Sequence, residues 1–182
     1  MAAVDFNKRA LLTGAGTGDQ CLPIRPPWSV PDPLFTDKCS RCHLCVDACE
    51  TQVLIVGRGG FPEIQFNQNE CTFCGQCAQV CETHVINPEL IPEVWSVKAT
   101  LSDGCMAERG VSCQLCRDSC EVEAISFNWH EAPVRGVPVP RIDAALCTGC
   151  GACARPCPSQ AIEVQPTEQT TQFLGKRKAV SE

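Results

Sequence analysis

Cys39, Cys42, Cys45 and Cys49 are spaced C-x2-C-x2-C-x3-C, and the same spacing returns in Cys71, Cys74, Cys77 and Cys81 and again in Cys147, Cys150, Cys153 and Cys157. A looser set, Cys105, Cys113, Cys116 and Cys120, keeps the later gaps after a longer first one. Thiolates in such runs are the ligand signature of [4Fe–4S] clusters. A cubane needs four sulfurs converging on it; three cysteines at three-residue intervals line one tight loop, and the fourth comes from elsewhere. Four sets of four absorb all but one of the 17 cysteines, leaving only Cys21.

Two other uses of cysteine fit less well. A disulfide framework goes with secretion and an even count, but the count is odd and MAAVDFNKRALLTG lacks the apolar stretch of a signal peptide. Structural zinc takes two C-x2-C knuckles, or cysteine with histidine, in a tetrahedron. Strict triplets followed by a fourth cysteine suit a cubane better. In bacterial-type two-cluster ferredoxins the fourth cysteine of each run ligates the other run's cluster. Cys49 should therefore join Cys71, Cys74 and Cys77, and Cys81 should join Cys39, Cys42 and Cys45. Likewise Cys120 should join Cys147, Cys150 and Cys153, and Cys157 should join Cys105, Cys113 and Cys116. Four [4Fe–4S] clusters are expected, the irregular third run being the least regular site.

The segments between the runs must hold these loops. Val53–Val56 and Phe61–Phe66 alternate as two strands around Gly57-Arg58-Gly59-Gly60. Val85-Ile86 closes the first half, 32 positions separating Cys39 from Cys71. Ala124–Phe127 and Ala161–Val164 are strands after later runs, with Pro133, Gly136, Pro138 and Pro140 returning the chain into Arg141-Ile142. The fold class is a small α+β protein of two tandem, pseudo-two-fold, ferredoxin-like units, each stapled by two clusters. Residues 1–35 are expected as an extended arm, because Pro26, Pro27, Pro31 and Pro33 oppose a regular helix. Residues 36–98 form the first unit, 99–165 the second, and 166–182, with Lys176-Arg177-Lys178, a mobile tail. Trp28 either packs on the nearest unit or serves a docking segment, and packing is the commoner role of a large aromatic. Gly14-Ala15-Gly16-Thr17-Gly18 has no strand before it and is no dinucleotide loop.

Composition narrows the function. The 44% hydrophobic share counts all 17 cysteines of 182 residues, so the ordinary apolar core is thin and metal ligation supplies much of the folding free energy. No apolar run is long enough to span a membrane. The formal charge is -6, and four clusters at about two negative charges each bring the loaded protein to roughly -14. That excludes a basic nucleic-acid-binding face and suits encounters with basic patches on redox partners. A thiol-rich chain without an export signal belongs in a reducing cytoplasm. His43, His84 and His130 read as exposed spacers rather than ligands, since every run has its four cysteines. No Ser/His/Asp set or carboxylate pair marks a catalytic centre, so the chain is not expected to be an enzyme. Glu50, Glu82 and Glu121 follow the fourth cysteines where Pro158 follows Cys157; a carboxylate near a cluster and a restored N–H donor shift its potential in opposite directions.

Arg9-Ala10-Leu11-Leu12-Thr13-Gly14, Ile24-Arg25-Pro26-Pro27-Trp28, the Cys39–Cys49 run and Asn69-Glu70-Cys71 to Cys81 together resemble the NapF family, as do Cys113-Gln114-Leu115-Cys116-Arg117-Asp118-Ser119-Cys120 and Leu146-Cys147-Thr148-Gly149-Cys150-Gly151-Ala152-Cys153. These are ferredoxin-type proteins of periplasmic nitrate reductase systems. The cysteine runs alone fit many polyferredoxins; the I-R-P-P-W segment and the irregular third run make the match specific. The resemblance implies a cytoplasmic accessory protein that binds the precursor of the nitrate reductase catalytic subunit and supports its iron–sulfur or redox maturation before export. A general soluble electron-transfer ferredoxin of an anaerobic respiratory chain, meeting other redox proteins, is the first alternative. A binding protein whose clusters only hold the fold is the second.

Overall fold

The computed structural model describes residues 23–92, 94–131 and 136–167. Cys21, the glycine-rich stretch at 14–18 and the Lys176-Arg177-Lys178 tail lie outside the described residues.

The helices are short because the cysteine loops leave no room for long ones. Helix α1 (Asp32–Lys38) is followed by single turns α2 (Leu44–Asp47), α3 (Gln76–Gln79) and α4 (Leu115–Asp118). Each single turn carries the third cysteine of its run, Cys45, Cys77 or Cys116, into a buried position. The strands form three antiparallel pairs. Strand β1 (Leu54–Val56) pairs with β2 (Pro62–Ile64), β3 (Val97–Leu101) with β6 (Ile162–Pro166), and β4 (Ile125–Phe127) with β5 (Pro140–Ile142). In the second half a central hairpin thus sits between the cysteine loops, and an outer pair joins the first strand to the last. The first half repeats this plan with its outer pair reduced to one bridge, Ser29 to Ile86.

The expected hairpins are present, and the differences lie at the unit edges. Strand β3 has no counterpart in the sequence reading. It starts at Val97, so a boundary between 98 and 99 falls inside it; likewise 165/166 falls inside β6. The segment expected as an arm is, from residue 23, packed on the first half. Pro26 and Pro27 are fully buried, the Ile64 N–H donates to the Ile24 carbonyl at 2.8 Å, and the Val30 N–H donates to the Val85 carbonyl at 2.9 Å. Pro31 and Pro33 do not exclude a helix. Pro31 caps α1 and Pro33 lies in its first turn, where a missing N–H costs no intrahelical bond. Phe35 on that helix is 0% exposed and anchors the first core with Val53, Leu54, Ile64, Phe66, Val85 and Ile86. The second core is smaller-chained, Ala99, Ala124, Ile125 and Ile162 packing among cysteines. It has less apolar area to hold it together and depends more on what its thiols bind.

Candidate metal centres

Each cysteine run owes its shape to residues held at positive φ. In the first run Arg41 (φ 57) and Cys42's other neighbour His43 (φ 64) are left-handed; Phe73 and Gly75 do the same in the second run, and Gly149 and Gly151 in the fourth. The paired left-handed residues reverse the chain on either side of the second cysteine and wrap three thiols around one volume. The third run lacks the pair, Gln114 standing at φ -131, and its long first gap turns instead through Gly110 at φ 78. After the fourth cysteine all four runs agree. Gln52, His84, Glu123 and Gln160, each three residues on, are left-handed at φ 51 to 54, and their N–H groups donate back to the carbonyls of Cys49, Cys81, Cys120 and Cys157 at 3.0–3.1 Å. Four non-glycine residues in that region cost about 1–3 kcal/mol each. The sequence reading missed this turn, although a polar residue at the same offset in every run is its signal.

The loops bring the cysteines together in crossed sets. Cys39, Cys42 and Cys45 line one cavity with Cys81, and Cys147, Cys150 and Cys153 line another with Cys120. Cys49 is an electrostatic neighbour of Cys71 and Cys77, which also face Cys74. Cys105 and Cys113 face Cys116, and Cys157 packs with Cys105 in a small core containing Ala107 and Ala161. Among the described residues Cys42 and Cys74 are the two exposed thiols; the other ligand candidates are buried or half-buried.

The chemistry of these donors fits an iron–sulfur core. Among the described residues no three His, Cys, Asp or Glu side chains close tightly enough to hold a single ion; a tetrahedral zinc site, with Zn–S near 2.3 Å, needs sulfurs about 3.8 Å apart. The thiols instead line two open hollows, Cys39, Cys42, Cys45 and Cys81 one of them and Cys120, Cys147, Cys150 and Cys153 the other. Burial pushes Cys45 up to about 11, and neighbouring Cys39, Cys42 and Cys81 add to it. Burial likewise takes Cys77 and Cys153 to about 12 and Cys71 and Cys116 to about 11. Four clustered thiols cannot all ionise unless positive charge enters among them, which a metal core supplies. Cys157 differs. Burial raises it, but hydrogen bonds from the Ser159 hydroxyl and the Ala161 N–H outweigh that and leave it lowered. The Ala124 and Ala161 N–H groups donate to the sulfurs of Cys120 and Cys157, both at 3.3 Å, and such bonds raise a cluster's potential. Glu50, Glu82 and Glu121 are exposed, so water and salt screen their charge.

The histidines are not all spacers. His43 is half-buried, and its Nε2 lies 3.0 Å from the Gly60 carbonyl, tying the first cysteine loop to the β1–β2 turn. Beside it Arg41 reaches the Gly59 carbonyl and stacks 5.3 Å over Phe61. His84 and His130 are exposed.

The 4Fe-4S dicluster domain model matches residues 38–85 and 110–173. A ferredoxin-type protein NapF from Escherichia coli K12 is 40% identical over 166 residues, covering 89% of this chain and 96% of that one. The NapF protein of Haemophilus influenzae Rd is 42% identical over 147 residues, covering 80% and 81%. This chain belongs to the NapF family of ferredoxin-type proteins. With the dicluster domain present, its cofactors are [4Fe–4S] clusters. More distantly, the methylamine utilization ferredoxin-type protein MauM of Methylophilus methylotrophus is 29% identical over 161 residues, covering 80% of this chain and 71% of that one. No solved structure matches the chain. No helix among the described residues is long and apolar enough to cross a membrane.

Proposed function

We propose that this protein is a cytoplasmic polyferredoxin that binds the precursor of the catalytic subunit of periplasmic nitrate reductase and supports its iron–sulfur or redox maturation before export. The observation that carries the reading is 40% identity to a NapF protein over nearly its whole length, together with thiols grouped for clusters. Four [4Fe–4S] clusters are held by Cys39, Cys42, Cys45 and Cys81; by Cys71, Cys74, Cys77 and Cys49; by Cys147, Cys150, Cys153 and Cys120; and by Cys105, Cys113, Cys116 and Cys157. When bound, each cluster stores and releases one electron. The chain's own task is to hold sixteen thiolates, donate N–H groups to their sulfurs and keep water from the inner faces. The runs from Cys39 to Cys81 and from Cys105 to Cys157 belong to the two units. Cys42 and Cys74, exposed among the described thiols, are the sulfurs we assign to the approach of a partner's redox group.

A second reading, a soluble electron carrier for several redox proteins, is favoured by the shared frame with a relative named for methylamine utilization. Binding separates the two. Purified holoprotein should retain the leader-bearing nitrate reductase precursor on a column and ignore the mature enzyme. Equal retention of both, or of neither, with reversible redox cycling intact, would leave the carrier reading standing. Clusters that hold the fold but cannot be reduced would exclude both.

A further inference from the structure

The two halves touch through their inner cysteine loops. The Cys71 N–H donates directly to the Cys150 carbonyl at 2.9 Å, joining the second run of the first unit to the fourth run of the chain. Trp95, in the connection between the halves, donates from Nε1 to the Thr148 carbonyl at 2.9 Å. Its ring meets Phe73 edge-on at 5.5 Å and Phe66 at 6.2 Å. Lys98 reaches the Cys147 carbonyl from β3.

The contact requires bare backbone on the second half. A Cβ at Gly151 would overlap the Phe66 ring of the first half, while one at Gly149 would overlap the Val97 carbonyl within the second half itself. Gly149 and Gly151 stand at positive φ, 76 and 83 respectively, so both serve the loop shape, and Gly151 serves the close approach as well. Within each half a similar closeness holds. Cys45 and Cys77, each buried on its own helical turn, are electrostatic neighbours, and so are Cys116 and Cys153. Ordered by these contacts the four sets form a single line: the first run's site, the second run's, the fourth run's and the third run's.

We propose that the Cys71–Cys150 backbone hydrogen bond, with Trp95 and Gly151 as positioning residues, is the electron crossing between the two halves, making the four sites one continuous conductor. This rests on the four-site reading above. The transfer balances by itself: one site's core is oxidised by one electron, the next is reduced by one, and no proton or bond changes. A one-electron reductant at one end and an oxidant at the other set the direction. Tunnelling falls off exponentially with distance, which is why a contact free of intervening side chains matters here more than the size of the interface.

The test is electron paramagnetic resonance of the reduced full-length holoprotein, with iron and sulfide counted on the same samples. Trp95→Ala removes the Nε1 bond to the Thr148 carbonyl and the ring packing on Phe66 and Phe73, and should loosen the contact between the halves without altering a ligand or a ligand loop. Iron should stay unchanged while the spin–spin broadening assigned to the inner pair is lost. Unchanged broadening at full iron content overturns the proposal. Should Trp95→Ala fail to fold, the full-length double variant Cys42→Ala/Cys113→Ala, which removes one ligand from each outer site, serves instead. Its two remaining inner sites should give an interaction-split, fast-relaxing signal; two independent signals overturn the proposal. An iron count near two clusters in the unmodified protein refutes the four-site reading, and with it this inference, whereas uncoupled signals at four clusters refute only the crossing.

Discussion

Arg25 ties the N-terminal segment to the first pair of sites, and its removal has a calculable cost. Its Nε donates to Asp32 at 2.6 Å and its Nη1 to the Pro62 carbonyl at 3.2 Å, with Glu63 at 3.6 Å. The guanidinium lies 5.2 Å from the Phe35 ring centre and 5.4 Å from that of Phe61. Arg25→Met keeps the apolar stem and removes every one of these interactions. A hydrogen bond to a charged partner contributes roughly 1.5–3 kcal/mol. Because Asp32 is 38% exposed and regains water when abandoned, the low end applies. The buried Pro62 carbonyl adds about 0.5–1.5 kcal/mol and the ring contacts about 0.5–1 kcal/mol. Glu63 keeps its bond from the Arg58 N–H, and methionine returns part of the loss by filling the site. The net destabilisation is about 2–3 kcal/mol, a roughly 30- to 150-fold rise in the open fraction of the first unit. The assay is loss of visible cluster absorbance in anaerobic chelator. Where opening and reclosing are fast, the rate follows the open population. About half the absorbance, that of the first unit, should decay 30- to 150-fold faster while the second half keeps its wild-type rate. A uniform acceleration of the whole signal, or none, would refute the reasoning that Arg25 clamps the first unit alone.

Four shorter predictions accompany it. Anaerobically reconstituted protein should carry about 16 irons and as many sulfides per chain, and zinc in natively purified protein would contradict the whole assignment. Cys81→Ala should abolish the site of Cys39, Cys42 and Cys45 while Cys49→Ala abolishes that of Cys71, Cys74 and Cys77; Mössbauer or resonance spectra showing each variant losing its own run's site would overturn the crossing of ligands. Gln52→Gly, relieving a left-handed backbone at φ 54, should stabilise the first unit by up to about 1 kcal/mol and slow its cluster loss several-fold, and faster loss would show that the Gln52 side chain matters instead. Trp28→Ala should weaken precursor binding at unchanged iron content, since its backbone is already pinned by bonds to Val94 and Asn87 and its side chain is only half-buried; iron loss would mark Trp28 as a packing residue.

Cysteine spacing made the chemistry of this chain legible before any fold was known, because four thiols at fixed intervals constrain a metal core more tightly than apolar residues constrain a sheet. The hairpins Leu54–Ile64 and Ile125–Ile142 were legible too, from alternation around glycine and proline turns. Local signals misled where a residue's role depends on its neighbours in space. Proline at 31 and 33 read as an extended arm, yet Pro31 caps a helix because Phe35 beside it has a core to fill. Strand β3 escaped notice because its partner β6 begins 61 residues after β3 ends. A half-buried His43 looked like a spacer until the Gly60 carbonyl was found opposite it. The sequence alone determined how many thiols are available and in what local loops. Run spacing also carried the expectation that each fourth cysteine crosses to its partner run; only tertiary structure decided that the loops of Cys71 and Cys150 meet across the two halves. That is a long-range contact, set by how two small cores pack and by Gly151, where a single Cβ would meet the Phe66 ring and hold the surfaces apart.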